Sequence, residues 1–387
     1  MFQFNPYSPA VDADPFPLYR ILREEHPCFW SADANMWVLS RYADIMEALS
    51  SWQIYSSAKG NLMDELPQRA GATLGTTDPP RHDRLRALIQ YAFTKRNLEN
   101  ISGPVRALVV EQLDELHGAR EFDFVNDFVA KVTARILFRM LGLPPGDDRE
   151  VRQRAVLMVQ SDGVSKQKGP EHIAAYNWMQ EYAAGVIAAR RRDPQEDLIS
   201  QFCLAEIDGE RLLEREVVLT TTTLIMAGIE SLGGFTAMFG LNLADYADAR
   251  RTLCNDPQRI PDAIEESLRF NTSAQRFRRC LTTDVALHGQ TMRAGEFVCL
   301  AYGSANRDQR RFPDPDTYDI ARKPKGHLGF GGGTHACLGS MVARMAVRII
   351  FEEFLARFPE FSRTEARLNW MPSTTFRSPM QLPISIG

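Results

Sequence analysis

A glycine-rich segment near the C-terminal end of the chain carries the residues best suited to chemistry: Phe330-Gly331-Gly332-Gly333-Thr334-His335-Ala336-Cys337-Leu338-Gly339. Cys337 stands two residues after His335 and precedes an amphipathic helical stretch over residues 338–357. The thiolate is the nucleophilic and metal-binding form of cysteine, and a helix N-terminus favours negative charge. The segment therefore predicts an ionised cysteine where glycine backbone passes close to a ligand.

Other kinds of site also use glycine-rich loops or cysteine. A P-loop ends in Gly-Lys-Ser/Thr and a dinucleotide fingerprint has a different glycine spacing, so neither matches. A zinc site needs more Cys or His ligands, and only His335 is close to Cys337. A single thiolate is a known ligand of haem iron. Taken alone, the segment leaves open a thiolate on a large planar cofactor and a glycine-rich turn with an inert cysteine.

The elements that must position this segment are mostly helical. Apolar spacing of three and four predicts helices at 16–25, 43–49, 84–93, 105–116, 127–141, 173–190, 214–245, 262–270 and 338–357. Strands are predicted at 36–39, 285–287 and 297–302, and a long loop at 57–80. The stretch 214–245 is apolar nearly all round, so we expect it to cross the centre of the molecule. The fold class is mainly α, with one domain over 1–387 that has a large helical part and a smaller strand-rich part.

The middle of that long helix carries Ala227-Gly228-Ile229-Glu230-Ser231. Glycine inside a helix costs about 1 kcal/mol relative to alanine, so Gly228 needs a reason, such as the close approach of a ligand. An acid and an alcohol are costly to bury without partners. The alternative is a serine bonded to its own helix and an acid that faces solvent.

Two further pairs of polar residues have helical spacing. Glu266 and Arg269 are three apart, and such a pair alone is usually a surface ion pair worth under about 1 kcal/mol. His82 and Arg86 are four apart at the start of a helix and share a face, which without context favours two solvent-facing side chains.

The segment around Cys337 matches Phe-Gly-x-Gly-x-His-x-Cys-x-Gly, the haem-binding signature of the cytochrome P450 family, at every specified position. The other motifs follow in the family's order across nearly the whole chain, so the chain resembles a soluble, bacterial-type cytochrome P450. The resemblance implies the cytochrome P450 fold, with haem b between the long central helix and the helix after the cysteine loop.

The resemblance also assigns roles to individual residues. It implies Cys337 as the ligand of the haem iron, Glu230 and Ser231 as the oxygen-activating pair, and a structural network of Glu266, Arg269 and Arg322. The residues that it implies for haem binding are His82, Arg86, Ala227, Gly228, Arg279, Phe330, Gly331, His335, Cys337 and Gly339. Ser231 stands where the family usually has threonine. Because serine lacks the methyl group that fixes the rotamer, we expect less tightly organised proton delivery.

The implied activity is that of a haem-thiolate monooxygenase, which inserts one oxygen atom from dioxygen into a small, mainly apolar organic substrate. Hydroxylation, O-demethylation and epoxidation all fit. Electrons would come from a separate ferredoxin or flavodoxin with its reductase. Two alternatives stay open: a haem-thiolate enzyme of oxidative coupling or peroxide-driven oxidation, and a non-catalytic haem protein that binds small ligands.

Substrate identity does not follow from these motifs. By position in the family, the pocket should include Leu74, Ile229, Gln275, Arg276, Phe277 and Phe376. Arg276 or Arg377 would meet a substrate carboxylate, unless each is exposed or already paired.

Composition excludes several other classes. The net charge of -4 gives no reason to expect nucleic-acid binding, and no apolar run approaches the roughly 20 residues of a membrane helix. The N-terminus does not resemble a signal peptide, and the six cysteines are dispersed, so we expect a cytoplasmic monomer with free thiols. The interval between Ile320 and Phe351 contains no acid but five cations, which predicts a basic surface where an acidic electron donor docks.

Overall fold

The computed structural model describes residues 2–90, 93, 95–162, 165 and 167–387. Helices predominate in this part of the chain. They are α1 (Pro9–Ala13), α2 (Phe16–Glu25), α3 (Tyr42–Ser50), α4 (Arg81–Gln90), α5 (Lys95–Asp114), α6 (Ala130–Leu141), α7 (Asp148–Val159), α8 (Pro170–Arg192), α9 (Leu198–Leu204), α10 (Glu214–Asp245), α11 (Ala247–Asn255), α12 (Ile260–Phe270), α13 (Tyr302–Ala305) and α14 (Ser340–Arg357). A π-helical turn at Phe124–Val129 leads into α6.

The strands of the described residues are short and form four sheets. They are β1 (Cys28–Ser31), β2 (Met36–Leu39), β3 (Tyr55–Ser56), β4 (Glu121–Asp123), β5 (Glu206–Ile207), β6 (Glu210–Arg211), β7 (Arg276–Leu281), β8 (Val285–Leu287), β9 (Gln290–Met292), β10 (Phe297–Ala301), β11 (Phe361–Arg363) and β12 (Pro383–Ile386). The largest sheet has the order β1-β2-β10-β7-β3, in which β10 runs parallel to β2 and antiparallel to β7. Because side chains alternate along a strand, Phe277 and Arg279 of β7 share one face.

The central helix α10 extends over 32 residues, with the bounds that its apolar pattern predicts. Near its start, the Glu216 carboxylate accepts the Leu213 N–H at 3.0 Å. By length and composition α10 could cross a membrane, so the statement that no apolar run approaches that length was wrong. However, 72% of its apolar window is buried inside the protein, as befits a core helix.

The main hydrophobic core surrounds α10. This helix packs against α6, α7 and α8 on one side and against α12 and α14 on another. Aromatic side chains from α10 and α14 meet in this core, where the Phe239 and Phe351 rings are 4.4 Å apart. A second, smaller core lies under the five-stranded sheet. The predicted fold class, mainly α with a smaller strand-rich part, is confirmed, whereas the single domain over 1–387 stays a prediction.

Candidate active site

The cysteine loop is held by its own backbone. The Cys337 N–H donates to the Phe330 carbonyl at 2.9 Å, which closes the loop ahead of α14. Gly331 and Gly333 have φ angles of +66° and +60°, a region that favours glycine. At Gly333 a Cβ would also collide with the carbonyl oxygen of Leu49 at the end of α3. Backbone geometry and close packing therefore explain these two glycines.

Cys337 is exposed and lines a cavity of about 510 Å³ between its loop, α12 and α14. The protein atoms that surround this cavity displace water from the thiol and raise its pKa, and this outweighs the opposite effects of the Gly339 N–H, Arg86 and Arg344. The helix itself begins only at Ser340. A coordinated cation would deprotonate a thiol outright.

Four cationic or imidazole side chains gather beside this loop, as the sequence motifs predict. The rings of His82 on α4 and His335 are 4.6 Å apart, and neither Nε2 atom has a hydrogen-bond partner among the described residues. Arg86 donates to the Ala336 carbonyl at 2.9 Å, and Arg279 is buried on β7. Burial lowers the pKa of His335, Asp78 at 3.9 Å from its Nε2 opposes this shift, and the nearby Arg279 and His82 lower the pKa further. The structure thus brings together four residues whose positions in the sequence span 253 residues, from His82 to His335.

One face of α10 is open although the helix is otherwise buried. Thr223, Ala227 and Ser231 are half-buried and follow each other at four-residue spacing. The Ser231 hydroxyl donates to the Ala227 carbonyl within the helix. Gly228 is also half-buried, but a Cβ there would lie 2.8 Å from Leu137 Cδ1 of α6. Helix packing therefore accounts for Gly228, where the sequence suggested the approach of a ligand.

Glu230 lies on another face of α10. Its carboxyl is buried, which raises its pKa to about 7, while Ser378 and the nearby Arg152 oppose this shift. Ser378 Oγ donates to Glu230 Oε1 at 3.3 Å. Glu230, Arg152, Ser378 and Gln160 line a cavity of about 140 Å³ between α7, α10 and the C-terminal loop. The acid therefore does not face open solvent. Sequence reasoning missed Arg152 and Ser378, because nothing in their local sequence connects them to Glu230.

The predicted pair Glu266 and Arg269 is fully buried, and the two side chains form two hydrogen bonds of 2.7 and 2.8 Å. Arg322 donates to Glu266 Oε1 at 3.2 Å. Arg269 also donates to the carbonyls of Pro315 and Thr317. The structure thus ties α12 to the segment that precedes the cysteine loop.

A neighbouring network was not predicted as a unit. Glu265 on α12 accepts bonds of 2.6 and 2.8 Å from Arg344 and of 3.0 Å from His327. Burial raises the Glu265 pKa, but Arg344 and His327 lower it more, to about 2. The Arg344 guanidinium also lies 4.5 Å over the ring of Phe330, and the ring of Phe235 on α10 meets Phe330 edge-on at 6.1 Å. This network holds Phe330 between α10 and α14.

The basic surface predicted around the cysteine loop is largely neutralised. Four of its five cations pair with carboxylates: Arg322 with Glu266, Lys323 with Asp262, Arg344 with Glu265, and Arg348 with Glu352. Lys325 forms no ion pair with any residue that the structure describes. Counting charges along the sequence overestimated this surface, because the partner acids lie on α12 and further along α14.

Of the six predicted substrate-pocket residues, four are apolar and two, Gln275 and Arg276, are polar. Leu74 packs against the main core, and the Phe277 and Phe376 rings are 5.9 Å apart and edge-on. Ile229 lines the cavity of Glu230. Gln275 donates to the Thr272 carbonyl at 2.6 Å.

Both arginines proposed for a substrate carboxylate are engaged within the protein. Arg276 is buried and its Nη2 donates to Asp12 at 2.8 Å, whereas its Nε and Nη1 have no hydrogen-bond partner among the described residues. Arg377 donates to Asn271 and to the carbonyls of Asp12 and Ala13.

The residues present fit a planar metal cofactor that carries carboxylates. In the described residues no three His, Cys, Asp or Glu side chains are placed to hold a bare metal ion. One sulfur ligand and a group of cations instead suit a metal whose other ligands the cofactor supplies. The Nε2 atoms of His82 and His335 are buried without a hydrogen bond among the described residues, and the nearest carboxylate to His335, Asp78, is 3.9 Å away. A Cβ at Gly339 would meet no atom within 4 Å although φ is an ordinary -82°, so room remains beside Cys337.

Comparisons with known proteins agree with this fit. A family model described as Cytochrome P450 matches residues 259–375. "Putative cytochrome P450 123" of Mycobacterium tuberculosis is 32% identical, with 99% of this chain and 96% of the relative covered. Nocardicin C N-oxygenase of Nocardia uniformis is 33% identical, with 98% of both chains covered. Among solved structures, the cytochrome P450 PksS of Bacillus subtilis superposes with a TM-score of 0.91 at 27% identity over 100% of both chains.

The chain therefore belongs to the cytochrome P450 family and has its fold. It is an oxidoreductase, a monooxygenase, and membership of the family implies a haem-thiolate cofactor.

Proposed function

We propose that this monooxygenase binds haem b through Cys337 and oxidises a small, mainly apolar organic substrate in the cytoplasm. A ferredoxin or flavodoxin with its reductase would supply the electrons. The observation that carries the proposal is the meeting of Cys337 with His82, His335, Arg86 and Arg279 at one loop. Charge-assisted bonds from such a group suit the two propionates of a haem that is not covalently attached. The sequence has no Cys-x-x-Cys-His motif for covalent attachment.

When bound, a haem with a thiolate ligand supplies oxygen activation, since electron donation from sulfur favours O–O cleavage. The residues of this chain would then have three tasks: to orient the cofactor, to deliver protons and to enclose the substrate. Phe330, which contacts both Arg344 and Phe235, would keep the cysteine loop at a fixed position relative to α10.

Proton delivery falls to Glu230 and Ser231. With a pKa of about 7, Glu230 can both release and regain a proton near neutral pH. It lines the cavity shared with Arg152 and Ser378, from which it would be reprotonated. The Ser231 hydroxyl on the open face of α10 currently donates to Ala227, so it must rotate to donate elsewhere. Serine turns more freely than threonine, which supports looser control of this step.

The substrate would lie against aromatic side chains. Phe277 and Phe376 pack edge-on, and Phe277 also lies 5.1 Å from the Tyr302 ring. Aromatic walls of this kind bind apolar groups without a charge requirement.

Docking of the electron donor would occur on the surface near Lys325 and the exposed Met341 of α14. Because four of the five cations are paired, we expect the reduction rate to fall only modestly with ionic strength. A steep fall would favour electrostatic docking, and a completely flat profile would rule it out.

The decisive test of function is a turnover experiment with isotopically labelled dioxygen. The haem-loaded protein is incubated with a plant-type ferredoxin, its reductase and a substrate found by optical screening. We expect one labelled oxygen atom in each product molecule. Turnover with peroxide but not with redox partners would favour the peroxide-driven alternative. Failure to consume reducing equivalents with any ligand would favour the non-catalytic one.

A further inference from the structure

A buried group of polar side chains lies where the loop 57–80 meets α8 and the C-terminal loop. We call Asp64, Glu65, Arg69, Lys168 and Tyr176 the roof cluster. The side chains of Glu65 and Arg69 are 2% and 3% exposed, those of Asp64 and Lys168 are 5% and 4% exposed, and Tyr176 is 1% exposed. Burial raises the pKa of Tyr176, while the positive charge of Arg69 lowers it and the carboxylate of Glu65 raises it. The tyrosine and this ion pair are therefore electrostatic neighbours.

The two carboxylates of the cluster are already supplied with donors. Both oxygens of Glu65 accept two bonds each. The donors are the Leu66 N–H and Arg69 Nη1 on Oε1, and the Asn61 and Leu62 N–H groups on Oε2. Asp64 accepts from Thr374 Oγ1 at 2.9 Å, from Ser161 Oγ, and from Lys168 Nζ at 3.2 Å. The acids of the cluster therefore have little capacity left for further donors.

Donors, in contrast, are in excess. Arg69 Nε and the Tyr176 hydroxyl are buried and have no hydrogen-bond partner among the residues that the structure describes. The two acids balance Arg69 and Lys168 in charge. Arg278 acts on the cluster electrostatically and donates only to backbone carbonyls there, so it adds one unbalanced positive charge. Buried donors and an unbalanced cation together favour an anionic acceptor.

A continuous set of contacts leads from the haem-binding residues to this cluster. Phe277 lies two positions before Arg279 on β7 and is in edge-on contact with Phe376. The residue before it in the C-terminal loop, Thr375, accepts the Met63 N–H at 3.1 Å. Met63 directly precedes Asp64, so this series of contacts connects the cluster with Phe376 and with Phe277, the aromatic residue that lies next to the cofactor residues in sequence.

We propose that the natural substrate is an organic carboxylate, whose carboxylate group binds to Arg69 and Tyr176 while its apolar body extends past Phe376 and Phe277. This inference rests on the proposed function, since it names the substrate class of that site. Of the two arginines that sequence position suggested for this role, Arg377 donates to Asn271 and to backbone carbonyls. Arg276 forms an ion pair with Asp12, which balances its charge, although its Nε and Nη1 atoms have no hydrogen-bond partner among the described residues.

The test uses the haem-loaded protein and matched pairs of probes that differ only in charge. These are the straight-chain carboxylates from octanoate to hexadecanoate and 4-phenylbutanoate, each with its methyl ester. Dissociation constants are measured by optical titration and by calorimetry, and neither method depends on turnover. We expect at least one carboxylate to bind about tenfold tighter than its ester, the size of one hydrogen bond between a donor and a charged group.

Two conservative variants locate the effect. Tyr176→Phe removes only the hydroxyl, and Arg69→Lys keeps the charge next to Glu65 but removes Nε. Each should reduce the preference for the acid by about tenfold, and the ester should bind as before. Tyr182→Phe is the matched control, because Tyr182 lies on the same helix and bonds Asp147 outside the cluster.

Equal binding of acid and ester, no binding of any carboxylate, or an unchanged preference in Tyr176→Phe would each overturn the proposal. The first result would mean that water satisfies the two donors. The proposed oxygenase function is tested separately by oxygen incorporation, so the two can fail independently.

Discussion

Ser378 Oγ lies 3.3 Å from Glu230 Oε1, which links the C-terminal loop to the acid at the centre of α10. The two residues are 148 positions apart, and each lines the same cavity of about 140 Å³. This contact holds the carboxyl in that cavity, on a face of α10 next to the open face that carries Ala227 and Ser231. The Glu230 carboxyl, which would hold the proton, therefore lies on a different face of α10 from the Ser231 hydroxyl, which would pass it on.

The raised pKa of Glu230 makes the stability of the protein depend on pH. Between about 4.5, the ordinary value, and about 7 the folded state binds more protons than the unfolded state, so this carboxyl destabilises the fold as pH rises. Glu230→Gln should therefore be more stable than the parent protein above pH 7, by on the order of 3 kcal/mol, and equal to it at low pH. Denaturant unfolding across this pH range measures the difference.

The exposed Glu181 of α8 provides the control, since Glu181→Gln should change stability little at any pH. If Glu230→Gln followed the parent protein at every pH, the carboxyl would not be buried as the structure places it.

Glu265 has the opposite dependence. Its pKa is lowered to about 2 by Arg344 and His327, so its stabilisation is complete above about 4.5 and disappears as pH falls towards 2. We expect Glu265→Gln to lose about 2–3 kcal/mol of unfolding free energy at neutral pH and much less in acid. A loss that stayed constant down to pH 2 would assign the effect to packing and would contradict the ion-pair account.

Ser231 of α10 should limit the fraction of consumed reducing equivalents that leads to product. Ser231→Thr retains the hydroxyl and adds the methyl group that fixes its rotamer, so we expect more product per reducing equivalent. Ser231→Ala removes the hydroxyl and should lower that ratio several-fold. Both ratios come from parallel measurements of NADPH consumption and product. If all three proteins had the same ratio, Ser231 would take no part in proton delivery.

The cysteine loop depends on Gly333. Gly333→Ala combines a positive φ with a collision against the Leu49 carbonyl, so it should destabilise the protein and impair haem loading. The control is Gly289→Ala, where φ is +74° but a Cβ would meet nothing within 4 Å. It should cost only the backbone strain of about 1–2 kcal/mol. Thermal unfolding and the haem content of the purified proteins distinguish the two effects, and equal losses would contradict the close packing at Leu49.

Strong local patterns allowed much of this structure to be predicted. The bounds of α10 follow from its uninterrupted apolar sequence, and the cysteine loop follows from its glycine spacing. The strand β7 was missed because Arg276, Arg278 and Arg279 hide its alternation. Tertiary contacts bury Arg276 and Arg279 there, and no local rule anticipates that.

Two helices of the described residues show the same limit. α7 has a charged first half and buries only four side chains, so its apolar pattern is weak, and packing on α8 and α10 stabilises it. In α14 the spacing of Met341 from Leu338 and Met345 fits an apolar face, but the Met341 side chain is 54% exposed, and residues such as Ala346 and Phe354 are buried instead. Partners of site residues, such as Arg152 beside Glu230, depend on contacts between distant helices and leave no local signal.

The central claim is that Cys337 holds the haem iron as a thiolate. The measurement that tests it most directly is the ferrous–CO absorption spectrum of Cys337→Ala, with Cys203→Ala as a control that removes a half-buried cysteine elsewhere. We expect the control to keep the Soret position typical of a thiolate ligand and Cys337→Ala to lose it, whether or not haem remains bound. An unchanged Soret position in Cys337→Ala would contradict the account.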